Sequence, residues 1–347
     1  MKIKLTTSRR DALRQLALLP FVSSAIATSS YAVPSTRKEK SGSLIPVMIT
    51  PFRENKSIDW PAFDRITDFY DAAGANGYFA NCLSSEMYVL TPEERLAVTA
   101  RVIRRFNKKK PVVSTGSFGE TNHEKAEFIK KMHDLGTDAV ILITSHFAGK
   151  TESDQVLINN LDQLLRATNN IPLGTYECPT PYKRVLTPEV VNFLVESNRF
   201  IYHKDTSEDL QDISMKLMLS KASKLRLYNA HTASAVASLK AGGAGLSPVS
   251  ANFYPEILSW VCRNTSDSRQ KENLTWIQSE LAATEPLISK SYPLSSKYFL
   301  KKRGLPLELV TRVNRGPLTP QQCATLDSVH ERFLGWCERL SISPVKG

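Results

Sequence analysis

Eight short apolar runs that alternate with eight amphipathic helical runs predict a (β/α)8 TIM barrel with a C-terminal helical extension. The alternation fills about 220 residues with short connections throughout, and such alternation means parallel strands joined by helical crossovers. Eight units match a closed barrel, typically about 250 residues long. An open doubly wound sheet is the alternative, but no Gly-x-Gly-x-x-Gly follows the first strand.

The expected strands are 45–50, 77–81, 111–114, 139–144, 172–176, 200–204, 225–229 and 244–247, each a short apolar or β-branched run bounded by turn residues. Between them, residues 60–73 carry Phe63, Ile66, Phe69 and Tyr70 on one helical face. Thr91-Pro92-Glu93-Glu94 is a capped helix start, with proline in the first turn and acids beside it, and Thr187-Pro188-Glu189 repeats it. Further helices are expected at 123–135, 154–168, 210–221, 232–241 and 255–261. These units place the barrel at 43–265. Residues 266–347 form the extension, mostly helical, with Trp276, Ile277, Leu281, Tyr298, Phe299, Leu300, Phe333, Leu334 and Trp336 as its apolar points.

The first 32 residues have the grammar of an export signal. Ser8-Arg9-Arg10-Asp11-Ala12-Leu13-Arg14 precedes a mainly apolar stretch from Leu16 to Ala27, and Ser30-Tyr31-Ala32 offers a small-residue cleavage site. Paired arginines after a serine resemble a twin-arginine signal, although Ala12 stands where a bulky apolar residue is usual. The expectation is export, to a periplasm, with a cytoplasmic protein bearing a basic tail as the alternative. Residues 33–42 read as a polar linker. Without the signal, 40 basic residues face 33 acidic ones. That mild excess, lacking any aromatic-interleaved basic stripe, argues against nucleic acid. Elsewhere no run of about 18 apolar residues predicts a membrane span. Five widely spaced cysteines (Cys82, Cys178, Cys262, Cys323 and Cys337) include no Cys-x-x-Cys pair, and their odd number argues against a disulfide framework. Free thiols suit a protein exported already folded.

The run Arg199-Phe200-Ile201-Tyr202-His203-Lys204 organises the chemistry. It is a buried-strand pattern that ends on a lysine. Burial disfavours an ammonium ion, and a neutral amine is a nucleophile toward carbonyls. In a parallel barrel the site forms at the C-terminal strand ends. There the chain places Asn81-Cys82-Leu83-Ser84-Ser85-Glu86, Thr144-Ser145-His146-Phe147, Tyr176-Glu177-Cys178-Pro179, Lys204 and Asn229-Ala230-His231. His203, next to Lys204 on a strand, points outward if the lysine points inward. The remaining histidines are a weak ligand set, so no metal is expected; His146 or His231 could instead meet substrate. Cys82 and Cys178 read as small apolar fillers.

Five segments resemble the pyruvate-dependent class I aldolase family that includes dihydrodipicolinate synthase and N-acetylneuraminate lyase. Ile45-Pro-Val-Met-Ile-Thr-Pro-Phe52 resembles its opening strand. Leu83-Ser84-Ser85-Glu86 with Leu90-Thr-Pro-Glu-Glu-Arg95 resembles the Thr-Thr-Gly-Glu loop and the helix after it. Tyr176-Glu-Cys-Pro179 resembles Tyr-Asn-x-Pro, and His203-Lys204-Asp205 resembles the motif of the Schiff-base lysine. Ala241-Gly-Gly-Ala-Gly245, followed by Asn252 and Pro255, resembles the last barrel strand. The resemblance implies that Lys204 forms an imine with pyruvate and that Tyr176 shuttles the proton. It implies that Leu83, Ser84 and Ser85 hold the carboxylate, and Phe147, Lys183 and Ser247 join them as substrate-binding candidates. It implies no cofactor, small-molecule partners (a 2-keto acid and an aldehyde, such as a sugar-derived one), and a homo-oligomer.

The departures narrow the expected activity. Leu83 stands where dihydrodipicolinate synthases have a hydroxyl of the proton relay, and Phe147 where they have a second tyrosine reaching in from a neighbouring subunit. Pro181 replaces the arginine that receives the semialdehyde's carboxylate. Lysine biosynthesis is therefore disfavoured. Lys183 and Arg184 could supply a cation for an acidic aldehyde, or be a solvated basic loop. Ser85 and Tyr202 replace glycines, and Tyr202, sharing the inward face of Lys204, is expected to raise the barrel floor. The expected activity is a Schiff-base lyase or aldolase. A keto-deoxy-acid dehydratase or hydratase-aldolase would use the same imine, and a non-catalytic keto-acid or sugar-acid binding protein would keep the pocket without turnover.

Overall fold

The computed structural model describes residues 41–106, 108–313 and 316–347. The expected export signal and all but the end of the linker lie outside the described residues. Eight parallel strands form the barrel: β1 (Ser43–Leu44), β2 (Tyr78–Phe79), β3 (Val112–Thr115), β4 (Ala139–Ile143), β5 (Leu173–Tyr176), β6 (Phe200–Asp205), β7 (Arg226–Asn229) and β8 (Gly245–Leu246). The helices of the barrel are α1 (Trp60–Ala72), α2 (Pro92–Phe106), α3 (Asn122–Asp134), α4 (Asp154–Ala167), α5 (Pro188–Glu196), α6 (Leu210–Ser220), α7 (Ala235–Lys240) and α8 (Pro255–Asn264). The extension supplies α9 (Lys271–Ser289), α10 (Leu294–Lys302) and α11 (Pro320–Leu340). Among the described residues no helix is long and apolar enough to cross a membrane, and the five cysteines are free thiols.

The expected first strand, 45–50, is split, and Pro46 is the reason. A proline has no N–H for the ladder. Ser43 and Leu44 pair with β8, whereas Val47 pairs in parallel with Phe79 of β2. The Pro46 carbonyl still accepts from the Phe79 amide at 3.0 Å, and the Met48 amide donates to the Phe79 carbonyl at 3.1 Å. The ring thus closes between its first and second strands.

Helix starts follow the local chemistry. Thr187 accepts from the Val190 amide ahead of Pro188, and Thr91 accepts from the Glu94 amide while Glu94 returns a bond to the Thr91 amide. Inside the barrel, Ile45, Val47, Phe79, Ile141, Ile143, Tyr176 and Tyr202 form one buried cluster. The Tyr202 hydroxyl donates to Ser247 Oγ at 3.1 Å and its ring stacks on Tyr228, so an aromatic layer floors the interior. Gly174 makes room for it: a Cβ there would stand 2.8 Å from the Tyr202 carbonyl. Gly245 is tighter still, because a Cβ would meet the Ser43 carbonyl at 1.9 Å, inside any allowed contact. Gly245→Ala must push β8 from β1, so we expect a loss of about 1–3 kcal/mol or more, read as a lower urea midpoint. An unchanged midpoint would show that the seam is not held this closely.

Candidate active site

Lys204 is the fifth residue of β6, and its Cα partner on β5 is Tyr176. Alternation along both strands sends the two side chains into the barrel. Lys204 is 3% exposed. Its Nζ lies 4.4 Å from the centre of the Tyr176 ring and 5.7 Å from that of Phe79. Burial pulls the amine down to about 8. Burial also pushes the Tyr176 phenol well above its ordinary value, so it holds its proton. These two groups lie at the base of a cavity of about 360 Å³ at the C-terminal strand ends, a size that suits a small organic ligand.

The loop after β2 supplies one wall. Leu83–Ser85 form a single helical turn in which the Ser85 amide donates to the Cys82 carbonyl and the Glu86 amide to that of Leu83. The amides of Leu83 and Ser84, first in that turn, have no acceptor among the described residues, as expected at the start of a helical turn. Leu83 and Ser84 line the cavity. Glu86 ends the turn in the left-handed region, at φ 61°. Its buried carboxylate accepts from Lys297 Nζ at 3.0 Å and from the Val313 amide at 2.9 Å. The extension therefore clamps this loop from outside.

Three expected site residues sit away from the cavity, and a fourth reaches it already paired. Ser85 is fully buried beneath the loop, where its hydroxyl donates to the carbonyls of Met48 (2.8 Å) and Ala80 (3.0 Å). Ser247 is buried at the level of the floor and donates to the Ile45 carbonyl at 2.9 Å. Phe147 packs among Ala126, Ile129 and Leu157 between helices and sheet, with Lys125 over its ring. Its apolar ring is satisfied inside its own chain and does not reach the cavity. Lys183 lines the cavity, but its ammonium is paired with Glu208 at 2.9 Å. Arg184 is turned away, donating to the Gly149 and Glu152 carbonyls and to Asp154. Neither residue leaves a free cation for an acidic partner.

Of the two histidines, His231 lines the cavity, with Nε2 at 3.4 Å from Glu285. His146 does not line it; its ring nitrogens meet Tyr88 and the Ser117 carbonyl. Glu285 in turn accepts from the Thr232 and Ala233 amides. Glu285, Ser289, Tyr292 and Val313 of the extension also line the cavity, and sequence reasoning missed them all. Their approach is set by packing over long sequence separations, and no motif announces it.

Behind the two strands lies the opposite face. Glu177, His203 and Asp205 each follow or precede an inward residue, so they point outward, where α6 covers them. They offer ligand atoms within 4.8 Å of one another and are the residues that could hold a metal ion. The Lys216 ammonium sits among them instead, 2.5 Å from Glu177, 2.6 Å from Asp205 and 2.6 Å from Asp212. His203 Nε2 lies 3.5 Å from Glu177 and 3.8 Å from Asp205, ion-pair distances too long for hydrogen bonds. Its Nδ1 meets Thr175 Oγ1 at 2.8 Å. Burial alone would raise the two carboxyls, but His203 and Lys216 hold both below their ordinary values. Burial opposes charge on His203, but Asp205 and Glu177 raise it.

The signs give a stability profile. Carboxylates depressed in the folded state contribute stability above their unfolded range, about pH 4, and lose it on acidification. The raised histidine contributes fully below about pH 6.5 and loses its share as pH rises through its folded value. Stability against urea should therefore be greatest near pH 6 and lower at both pH 3.5 and pH 9. Lys216→Met strands buried carboxylates, and we expect it to cost about 3–5 kcal/mol at pH 7. A variant as stable as the parent would mean that the cluster is not ionised as described.

Comparison with known proteins then adds kinship to geometry. The model of the dihydrodipicolinate synthetase family matches residues 40–333. A 4-hydroxy-tetrahydrodipicolinate synthase from Marinobacter nauticus is 25% identical over 279 residues, covering 80% of this chain and 92% of the relative. Another from Laribacter hongkongensis is 28% identical over 222 residues, covering 64% and 74%. Among solved structures, a chloride-inhibited dihydrodipicolinate synthase from Acinetobacter baumannii complexed with pyruvate superposes with a TM-score of 0.72 at 23% identity, covering 88% of this chain and all of that one. A prophage protein of the dihydrodipicolinic acid synthase family from E. coli, in complex with pyruvate, gives 0.74 at 21% identity, covering 87% and 99%.

Proposed function

The chain belongs to the dihydrodipicolinate synthetase family, and from that premise we propose that it joins or cleaves pyruvate and a neutral, hydroxyl-bearing aldehyde through an imine on Lys204. Membership makes it a pyruvate-dependent class I lyase. The observation that carries the finer reading is the lowered, buried Lys204 amine beside the Tyr176 phenol, under a mouth where Lys183 is paired with Glu208.

The chemistry follows from those groups. Neutral Lys204 adds to the keto carbon; the resulting hydroxyl takes a proton from Tyr176 and leaves as water, giving a protonated imine. The Tyr176 oxygen, now without its proton, takes the proton of the aldol hydroxyl. The carbon–carbon electron pair moves into the imine and the aldehyde departs, leaving an enamine. Tyr176 passes that proton to the enamine carbon; water then adds to the imine carbon, its proton returns to the Tyr176 oxygen, and pyruvate leaves as the neutral amine is restored. Condensation runs the same steps backwards. The unbound amides of Leu83 and Ser84 and the Ser84 hydroxyl are placed to hold the pyruvate carboxylate.

The relatives are named 4-hydroxy-tetrahydrodipicolinate synthases, and the family resemblance implies for such enzymes a semialdehyde that bears a carboxylate. For this chain Pro181, a paired Lys183 and a deflected Arg184 argue against it. The mouth offers Thr206, Ser289, Thr180, His231 and the Lys183–Glu208 pair, partners suited to hydroxyls. By kinship we also propose an assembly of several copies, although Phe147, sunk in its own core, cannot serve a neighbour's site.

Incubation with pyruvate and borohydride should fix an adduct on Lys204, detected by intact mass and peptide mapping, and Lys204→Ala should abolish it. Its formation rate should rise through about pH 8 rather than near pH 10, as the lowered amine loses its proton. Tyr176→Phe should slow turnover by about 10²- to 10⁴-fold. Binding of pyruvate with no adduct would leave a binding protein and remove the enzyme reading. The twin-arginine-like segment supports export as a further proposal. Replacing Arg9 and Arg10 by lysine should retain the protein in the cytoplasm on cell fractionation, and unaffected export would remove that reading.

A further inference from the structure

Tyr292 lies in the turn between α9 and α10, outside the barrel sequence, yet its ring lines the cavity with Lys204, Tyr176 and Ser84. Its oxygen accepts from Asn252 Nδ2 at 2.7 Å. The orientation of that amide is forced from both ends. Asn252 Oδ1 accepts from the Tyr70 hydroxyl, and Nδ2 donates to the carbonyls of Val47 (2.9 Å) and Val249 (3.2 Å). A flipped amide would set its oxygen against two carbonyl oxygens. An amide nitrogen here can only donate, so the Tyr292 oxygen must accept from it. Its own O–H hydrogen is left for another acceptor, and Ser84 of the carboxylate loop lines the same cavity. Burial pushes this phenol well above its ordinary value, so it stays a donor at working pH.

We propose that Tyr292 is a substrate-binding residue whose hydroxyl donates to the carboxylate of the bound 2-keto acid beside Ser84. The proposal rests on the imine reading of Lys204. It also assigns the helical extension a place in the site, with a phenol supplying a hydroxyl that Leu83 lacks. The phenol is held at its oxygen before substrate arrives, and a donor already oriented by Asn252 loses little freedom on binding.

Tyr292→Phe removes one oxygen and keeps the ring. Asn252 Nδ2 retains the Val47 and Val249 carbonyls as acceptors, so no buried donor is stranded and the thermal transition should stay within a few degrees of the parent. The test is borohydride trapping against pyruvate concentration, in parent and variant, with acetone as a ketone that lacks the carboxylate. A hydrogen bond to a charged group lost here should raise the half-saturating pyruvate concentration by about ten-fold or more. The yield at saturation should be unchanged, and acetone should trap equally in both proteins. A shift below two-fold, or an equal loss with acetone, overturns the proposal while leaving Lys204 as the imine residue. A parent protein that pyruvate and borohydride never label overturns both.

Discussion

A buried amine without a counter-charge is the constraint on which this molecule turns. Lys204 is the last inward residue of a strand in a barrel whose interior is aromatic and aliphatic, and no carboxylate lies within ion-pair range of its Nζ among the described residues. Two buried carboxylates nevertheless stand next to the pair in sequence, Asp205 after Lys204 and Glu177 after Tyr176. Strand alternation sends Glu177 and Asp205 to the other face, where Lys216 and His203 neutralise them. The same sheet thus carries a destabilised cation on one side and a satisfied ionic cluster on the other. Had either carboxylate faced inward, the amine would keep its proton and its nucleophilicity would be lost.

The outward cluster also positions the inward pair. Glu177 accepts from the amides of Leu186 and Thr206 as well as from Lys216. It therefore ties the end of β5 to the end of β6, at the residues that follow Tyr176 and Lys204. A 4.4 Å separation between a flexible ammonium and a ring is maintained by backbone held on its far side.

The extension is equally part of the site. Glu86 ends the carboxylate loop in a left-handed conformation and is anchored by Lys297 and by the backbone of 312–313. Glu285 caps the turn after β7 and lies 3.4 Å from His231 Nε2. The helices beyond the barrel hold two of its loops and complete the cavity wall.

Family resemblance implied Tyr176 as the partner of Lys204; the sequence by itself determined the barrel, its eight strands and Lys204 on an inward face. These follow from local rules: period-two alternation, capped helix starts such as Thr187-Pro188, and an apolar run that ends on a lysine. It also separated His203 from the site by parity alone. It could not place Phe147, Ser85 or Ser247, because each sits at a strand end where the chain leaves the alternation and neighbours from other elements decide which way a side chain turns. The break in the first strand at Pro46 needed the partner strands to be seen. Tyr292 and Glu285 reach the cavity only because α9 and α10 pack back over the strand ends, contacts that span the length of the barrel. Short-range periodicity does not encode such contacts; they exist only once apolar faces far apart in the chain have found each other.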